Sequence, residues 1–429
     1  MKVLVISHNA IGPSTNVGIT LKNVFRDFGA KNVAELFIRN EAPTDTEVCE
    51  NYFRITDKEV MKGVFSRKNL GREFGKDDVE KIKAAASDKR ETGTIEKIRT
   101  MHRNAWLDMG RELYWSLSPW YSKNLRQWLK KMNPDIIYFA AGDYAFSYKI
   151  ALKIAKELNI PLIVACYDDF FFYVKDGDSL MGKFRHFYYM QKVKKTMAYS
   201  SKIITICEPM AEDYRRLFGK ECMVLYTPAV PRNIVLNEDG KTIAYFGTLG
   251  LGRDDQIVSI GRAVANTANI TGFDHIDVYT TERREEALEK MIPENGIKLH
   301  KAVPFEEMLR IYQDSVALIH TESFDSTIRK RVKYSVSTKI PEALSYGPCL
   351  FAYGPAEIAS IDYLKKNNVA YVATGESELE ARIIELLEDK SKRKKVIANA
   401  RAIAVVNHNS HVNHDKLQAC FEDAIRNYH

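Results

Sequence analysis

The sequence predicts an α/β protein built from two parallel-sheet domains, and three observations predict it. At 429 residues and 45% hydrophobic content, the chain exceeds what one ordinary core accommodates. Apolar strand-like runs alternate with amphipathic helical stretches, the pattern of parallel sheets. That alternation stops in a Pro-, Asn-, Asp- and Gly-rich stretch, YTPAVPRNIVLNEDGK (226–241), and then begins again.

In the first half, KVLVIS (2–7), VAELFI (33–38), DIIYFA (135–140), PLIVACYD (161–168), KIITIC (202–207) and CMVLYT (222–227) read as strands. Between them YAFSYKIALKIAKELN (144–159) repeats apolar residues at helical spacing. PMAEDYRRLFG (209–219) opens with Pro and closes with Gly, as helices do. The second half repeats the pattern with strands at 242–248, 275–281, 297–303, 315–321, 349–354 and 369–374. The expected domains are therefore 1–228 and 241–405. The remainder, 406–429, is expected to be a C-terminal helix returning to the first domain.

Residues 60–130 interrupt the first domain with helix-rich sequence, broken by a polar stretch at 88–93. The formal charge of +7 concentrates here. Residues 51–133 hold 19 Lys and Arg against 11 Asp and Glu, together with all four tryptophans, Trp106, Trp115, Trp120 and Trp128. Three readings are open. Trp106, Gly110, Leu113 and Leu117 share a helical face that packs on the domain. The segment lies on an anionic membrane surface. It holds RNA, which ranks last.

No run approaches the roughly 18 apolar residues of a membrane span. MKVLVIS reads as a first strand of a cytoplasmic protein, without leader architecture. Cys49, Cys166, Cys207, Cys222, Cys349 and Cys420 lack CxxC spacing, so buried reduced thiols are expected and no metal site.

Three stretches carry candidate chemistry. In STKIPEALSYGPCLFAYGP (337–355), Ser337 or Thr338 caps a short helix that Gly347-Pro348 ends. A helix start beyond a strand end offers N–H groups and partial positive charge to phosphate. Lys339 adds a full charge, and the Glu342 carboxylate can accept two ribose hydroxyls. In YFGTLGLGRDD (245–255), Gly247, Gly250 and Gly252 let a backbone approach a ligand, and Arg253 supplies charge. In VPFEEMLRIYQDSVALI (303–319), Pro304 opens a helix with Glu306 and Glu307 in its first turn.

The order of these three stretches resembles the C-terminal domain of GT-B fold, family-4-type retaining glycosyltransferases. SSKIITICEPMAEDY (200–214) is similar to a stretch late in the family's N-domain. The resemblance implies two Rossmann-like domains facing across a cleft and metal-independent sugar transfer from a nucleotide sugar, without a cofactor. It implies that Arg253 and the turn at Gly247 and Thr248 meet the diphosphate. Glu342 then meets the ribose, and the backbone at Val303 the base. Thr248 stands where the family usually carries Arg. Tyr334 stands where it often has another Glu, and the basic run IRKRVK (328–333) with Lys339 is a candidate replacement for the missing charge. The loop Gly12-Pro13-Ser14-Thr15-Asn16 corresponds to the one facing the donor phosphates. Asp143 is the nearest polar residue to the place of the family's histidine. Asp168 and Asp169, at a strand end, are candidate acceptor ligands, although adjacent acids commonly cap loops.

The expected activity is retaining transfer of a hexose-type sugar from a UDP- or GDP-sugar. The acceptor is a saccharide on a polyprenyl diphosphate, at the cytoplasmic membrane face. The pathway implied is capsule, exopolysaccharide or O-antigen assembly, with no nucleic-acid partner. A sugar-nucleotide epimerase of the same fold, or a non-catalytic protein binding nucleotide sugar or RNA, are the alternatives.

Overall fold

A computed structural model describes residues 1–66, 69–87, 105–172, 179–230 and 232–428. Contacts divide the chain into two units, Met1–Leu225 with Asn413–His429, and Tyr226–Val412.

The first unit is built on an eight-stranded sheet. Its strands are β1 (Val3–Ser7), β2 (Val33–Phe37), β3 (Asn51–Arg54), β4 (Arg72–Phe74), β5 (Ile136–Ala141), β6 (Leu162–Cys166), β7 (Lys202–Thr205) and β8 (Cys222–Val224). The order is β4-β3-β2-β1-β5-β6-β7-β8. Only β4 runs antiparallel, against β3. Every residue of β1, β2 and β6 is buried, because helices cover both faces of a parallel sheet and leave no solvent side.

The second unit has six strands, β9 (Thr242–Phe246), β10 (Ile276–Thr280), β11 (Ile297–Lys301), β12 (Ser315–Thr321), β13 (Cys349–Tyr353) and β14 (Tyr371–Ala373). All are parallel, in the doubly wound order β11-β10-β9-β12-β13-β14. Two layers of apolar residues flank the sheet, one around Ile257, Ile260 and Leu379, the other around Leu344, Ile361 and Leu364.

Every strand read from the sequence is present, most of them trimmed at their ends. β3 and β4 are additions. NYFR and REF are short and charged, and β4 is an edge strand, so neither shows an apolar run. The final helix, Ser410–Arg426, inserts Leu417, Cys420 and Phe421 into the first unit's core. Phe421 lies 5.8 Å from Phe28 and 6.0 Å from Tyr138, ring centre to ring centre. All six cysteines are buried.

The basic tryptophan-rich segment overturns one expectation. On the helix Ala105–Leu117 the face bearing Trp106, Leu113 and Leu117 is exposed, at 66%, 60% and 64%. It does not pack on the domain. Asp108, Glu112 and Trp115 occupy the buried side instead. Trp115 stacks on Phe146 at 4.5 Å and donates its indole N–H to Asp57 Oδ1 at 2.7 Å. Aromatic stacking plus a satisfied polar tip outweighs burying the alternative face. The polar break expected at 88–93 lies outside the described residues. Among the described residues no helix is long and apolar enough to cross a membrane.

Candidate functional site

In the second unit the chain runs from β9 through β10 to β11 on one side of β9 and then returns to β12 on the other. Ligands of open α/β sheets bind outside the carboxyl ends of strands at such a switch point. The chain leaves β9 through Gly247, whose N–H donates to Tyr279 O at 3.1 Å. A Cβ at Gly247 would come within 2.9 Å of Lys339 Nζ and 3.0 Å of Tyr245 Oη. An added methyl group would press on the ends of the Lys339 and Tyr245 side chains, which would have to shift. The turn ends at Gly252, in the left-handed region with φ of 67°, where a Cβ would meet Ser323 Oγ at 2.5 Å. Thr248 is exposed, and its carbonyl accepts the Tyr245 hydroxyl at 2.7 Å.

Arg253 opens the helix Arg253–Asn266, and it is not the free cation that the sequence suggested. Its Nη2 lies 3.3 Å from Glu322 Oε2, and its Nε donates to Thr321 O at 3.3 Å. Glu322, just beyond β12, is 1% exposed. Burial pushes its carboxyl up, and the Arg253 charge opposes that. His320 lies 3.6 Å from the same carboxylate and 3.1 Å from Ser360 Oγ. Burial, then the charges of Arg253 and Lys339, lower it to about 3, so the imidazole is neutral.

Lys339 begins the helix Lys339–Tyr346, and its ammonium donates to Phe246 O at the end of β9. The residue is exposed. Loss of solvent around the ammonium, then the Arg253 charge, lowers it to about 8. Thr338 takes the cap position but its side chain makes no capping bond, contrary to expectation. Ser337 Oγ is instead 3.4 Å from the Lys339 N–H. Pro341 removes a further N–H from the first turn. Glu342 is half-buried. Burial raises its carboxyl against the Tyr346 hydroxyl and the charges of Arg232 and Lys339. Arg232 also lies over the Phe305 ring at 4.4 Å.

Val303 is half-buried in the loop after β11, which is tied by Ala302 N–H to Thr280 O at 3.1 Å. Beside it, Phe246, Tyr279 and His300 stack across β9, β10 and β11 at 4.7 and 4.5 Å. Tyr334 is buried, with the Lys333 ammonium 2.8 Å from its hydroxyl. Arg329 in the basic run pairs with Glu357. Lys333 and Arg329 of that run thus have local partners.

In the first unit the switch point lies between β1 and β5. The loop containing Gly12 is fixed from outside: Ala10 N–H donates to Glu41 Oε1 at 2.7 Å, and Ile11 N–H to Glu35 Oε2 at 2.8 Å. Burial raises the Glu35 carboxyl to about 8. The ring of His8, one residue past β1, lies 5.5 Å from Tyr144. Burial, then the Arg111 charge, lowers it to about 4. Arg111 lies 4.0 Å from the centre of the Tyr144 ring and bonds Asp57 Oδ1 at 2.9 Å. Asp143 is half-buried, and its carbonyl accepts Arg185 Nη2 at 3.1 Å. Glu112 accepts the Ala145 N–H at 2.7 Å at the start of the helix Ala145–Leu158, and burial raises it to about 7.

Asp169 is a loop cap: its Oδ1 accepts the N–H groups of Phe171 and Phe172, both at 3.0 Å, and is 9% exposed. Those bonds occupy Oδ1. Asp168 is exposed. Among the described residues no three His, Cys, Asp or Glu side chains cluster as a metal site. Sequence reasoning missed Glu322, Arg232 and His8. Only His8 carried a signal, as the first polar residue past the first strand.

The family model described as Glycosyltransferase Family 4 matches residues 69–229, and one described as glycosyl transferase-like matches 262–419. No curated protein matches in sequence. Among solved structures, sucrose-phosphate synthase from Thermosynechococcus elongatus is 11% identical, with 99% of this chain and 100% of that one covered and a TM-score of 0.58. Anabaena HepE in complex with UDP gives 11% identity, the same coverage and a TM-score of 0.61. A UDP-forming α,α-trehalose-phosphate synthase from Burkholderia vietnamiensis gives 11%, again 99% and 100%, and 0.56. At such identities the likeness carries the fold.

Proposed function

The chain belongs to the family-4-type glycosyltransferases of the GT-B fold, and from that membership we propose that it moves a sugar from a nucleotide-sugar donor held by its second unit. The observation that carries this is the meeting of the Gly247 turn, Lys339 and Arg253 at the ends of β9 and β12. Two cations and a glycine-opened backbone suit a diphosphate, whose charge grows as the glycosidic bond breaks. Solved structures of similar fold carry UDP and UDP-glucose in Anabaena HepE, which supports a UDP-sugar.

In this reading Lys339 and Arg253 stabilise the departing diphosphate. Glu322 orients Arg253 and moderates its charge until an anion arrives. Glu342 accepts the ribose hydroxyls, and the loop at Val303 meets the base edge. Transfer proceeds with retention and without a metal. The acceptor is a lipid-linked saccharide at the cytoplasmic membrane face, in assembly of a surface polysaccharide.

A thermal-shift panel with UDP, GDP, ADP, CMP and their sugars, on wild type and Glu342→Ala, tests the reading. A ligand at about a hundred times its Kd adds roughly 2.7 kcal/mol of stability. One nucleotide class is expected to stabilise wild type and not the variant. No shift with any nucleotide would overturn the donor site.

A further inference from the structure

The helices Ala145–Leu158 and Leu180–Tyr199 pack side by side in the first unit. A surface groove of about 350 Å³ runs along them, lined by Lys149, Lys153, Lys156, Lys192 and Lys195, with Glu157 as its single carboxylate. The helix Leu180–Tyr199 carries Lys183, Arg185, Lys192, Lys194 and Lys195 and no acidic residue. Glu157 takes up one ammonium, Lys153, at 3.2 Å. The groove therefore holds a positive field that its one carboxylate balances only in part, well suited to phosphate.

The lysines lean on tyrosine rings. Lys149 and Lys192 both lie over Tyr188, at 5.4 and 5.0 Å from its centre. Lys153 lies over Tyr121 at 4.9 Å and Lys156 over Tyr199 at 5.4 Å. Apolar side chains adjoin them. Lys149 Nζ bonds Ser116 Oγ at 2.7 Å, and the next residue, Leu117, and Leu113 one turn earlier are exposed. Phe184 and Phe187, at the turn before Tyr188, are 54% and 60% exposed.

Free polyanions offer nothing to cover four exposed leucines and phenylalanines, and nucleic-acid bases stack on the phenylalanine rings but leave the leucines uncovered, whereas a bilayer presents phosphate and hydrocarbon at adjacent depths. The geometry points to a membrane-docking site: the groove seats headgroup phosphates of an anionic lipid surface while Leu113, Leu117, Phe184 and Phe187 enter the apolar boundary. This names the docking surface for the lipid-linked acceptor read above and rests on that reading. It keeps Leu113 and Leu117 of the segment 51–133 in the membrane contact and moves its cationic part to the helices that follow.

The experiment is cosedimentation of the full chain with phosphatidylcholine vesicles, with and without phosphatidylglycerol, at low and high salt. Binding is expected only with phosphatidylglycerol and is weakened by salt. A Lys153→Gln, Lys192→Gln, Lys195→Gln variant is expected to lose about fivefold per lysine, on the order of a hundredfold together. A Leu113→Ser, Leu117→Ser, Phe187→Ser variant is expected to lose binding as well. All six positions are at the surface, and circular dichroism checks that both variants fold. No vesicle binding, or lysine-independent binding, overturns the site. So does binding lost instead in Lys130→Gln, Lys131→Gln. Displacement by inositol hexakisphosphate with the apolar variant still bound would reassign the groove to a soluble polyanion. The nucleotide thermal shift is measured on the same variants. A shift kept while vesicle binding is absent in wild type sinks the docking site and leaves the transferase reading standing.

Discussion

The switch points of the two sheets occupy equivalent places in two doubly wound folds, yet they are built oppositely. Between β1 and β5 the polar groups are consumed by the fold: Glu35 and Glu41 hold the Gly12 loop, and Glu112 tops a helix. Between β9 and β12 a glycine turn leaves room, and Lys339 is drawn to a backbone carbonyl. A cation resting on a carbonyl loses little when an anion replaces that partner. The difference separates a loop held rigid by buried acids from a site prepared for a charged ligand.

The largest expected effect breaks the first unit's side of the comparison. Trp115→Ala removes a fully buried ring and one of the donors to Asp57 Oδ1, and should cost about 4 kcal/mol. Trp106→Ser, on the exposed face of the same helix, should change stability by less than about 0.5 kcal/mol. Urea unfolding of both variants checks the contrast, and equal effects would refute the assignment of faces.

Arg253→Ala leaves Glu322 buried without its cation and should cost about 3 kcal/mol. Glu322→Gln in the same background should recover part of it, because the carboxyl loses the charge that burial opposes. A double-mutant cycle measures the coupling, and additive effects would mean that the pair is not coupled.

Glu112 predicts a pH dependence. Burial raises its carboxyl from 4.5 to about 7, so the folded state keeps a proton that the unfolded chain releases. The contribution is complete below pH 4.5 and is lost as pH rises through about 7. Its size is on the order of 3 kcal/mol. Thermal midpoints against pH should fall across this window in wild type and fall less in Glu112→Gln. Identical slopes would remove Glu112 as the cause.

Two smaller changes sharpen the second site. Lys339→Ala should weaken nucleotide binding about tenfold without lowering the unfolding midpoint of the free protein, since its ammonium is already disfavoured there. Titration calorimetry separates the two. Gly252→Ala, forced into a left-handed conformation against Ser323, should cost about 1 kcal/mol. Gly250→Ala, with nothing within 4 Å of an added methyl group, should be close to neutral.

By itself the sequence determined the class and the two parallel sheets. Long apolar runs such as LVIS and LIVAC have no other stable place than a buried parallel strand. It also determined which loops stand at the strand ends, because a glycine turn after β9 and a Gly-Pro stop after the Lys339 helix are local features. Tertiary structure alone decided partnership. Arg253 and Glu322 are 69 residues apart and meet only because β9 and β12 pair. Arg232 reaches Glu342 from a stretch that reads as a linker. Helical periodicity could place Trp106 and Leu113 on one face, but not say whether that face meets protein or solvent. That choice was set by Trp115 finding Phe146 and Asp57, and partners distant in sequence leave no trace in local spacing.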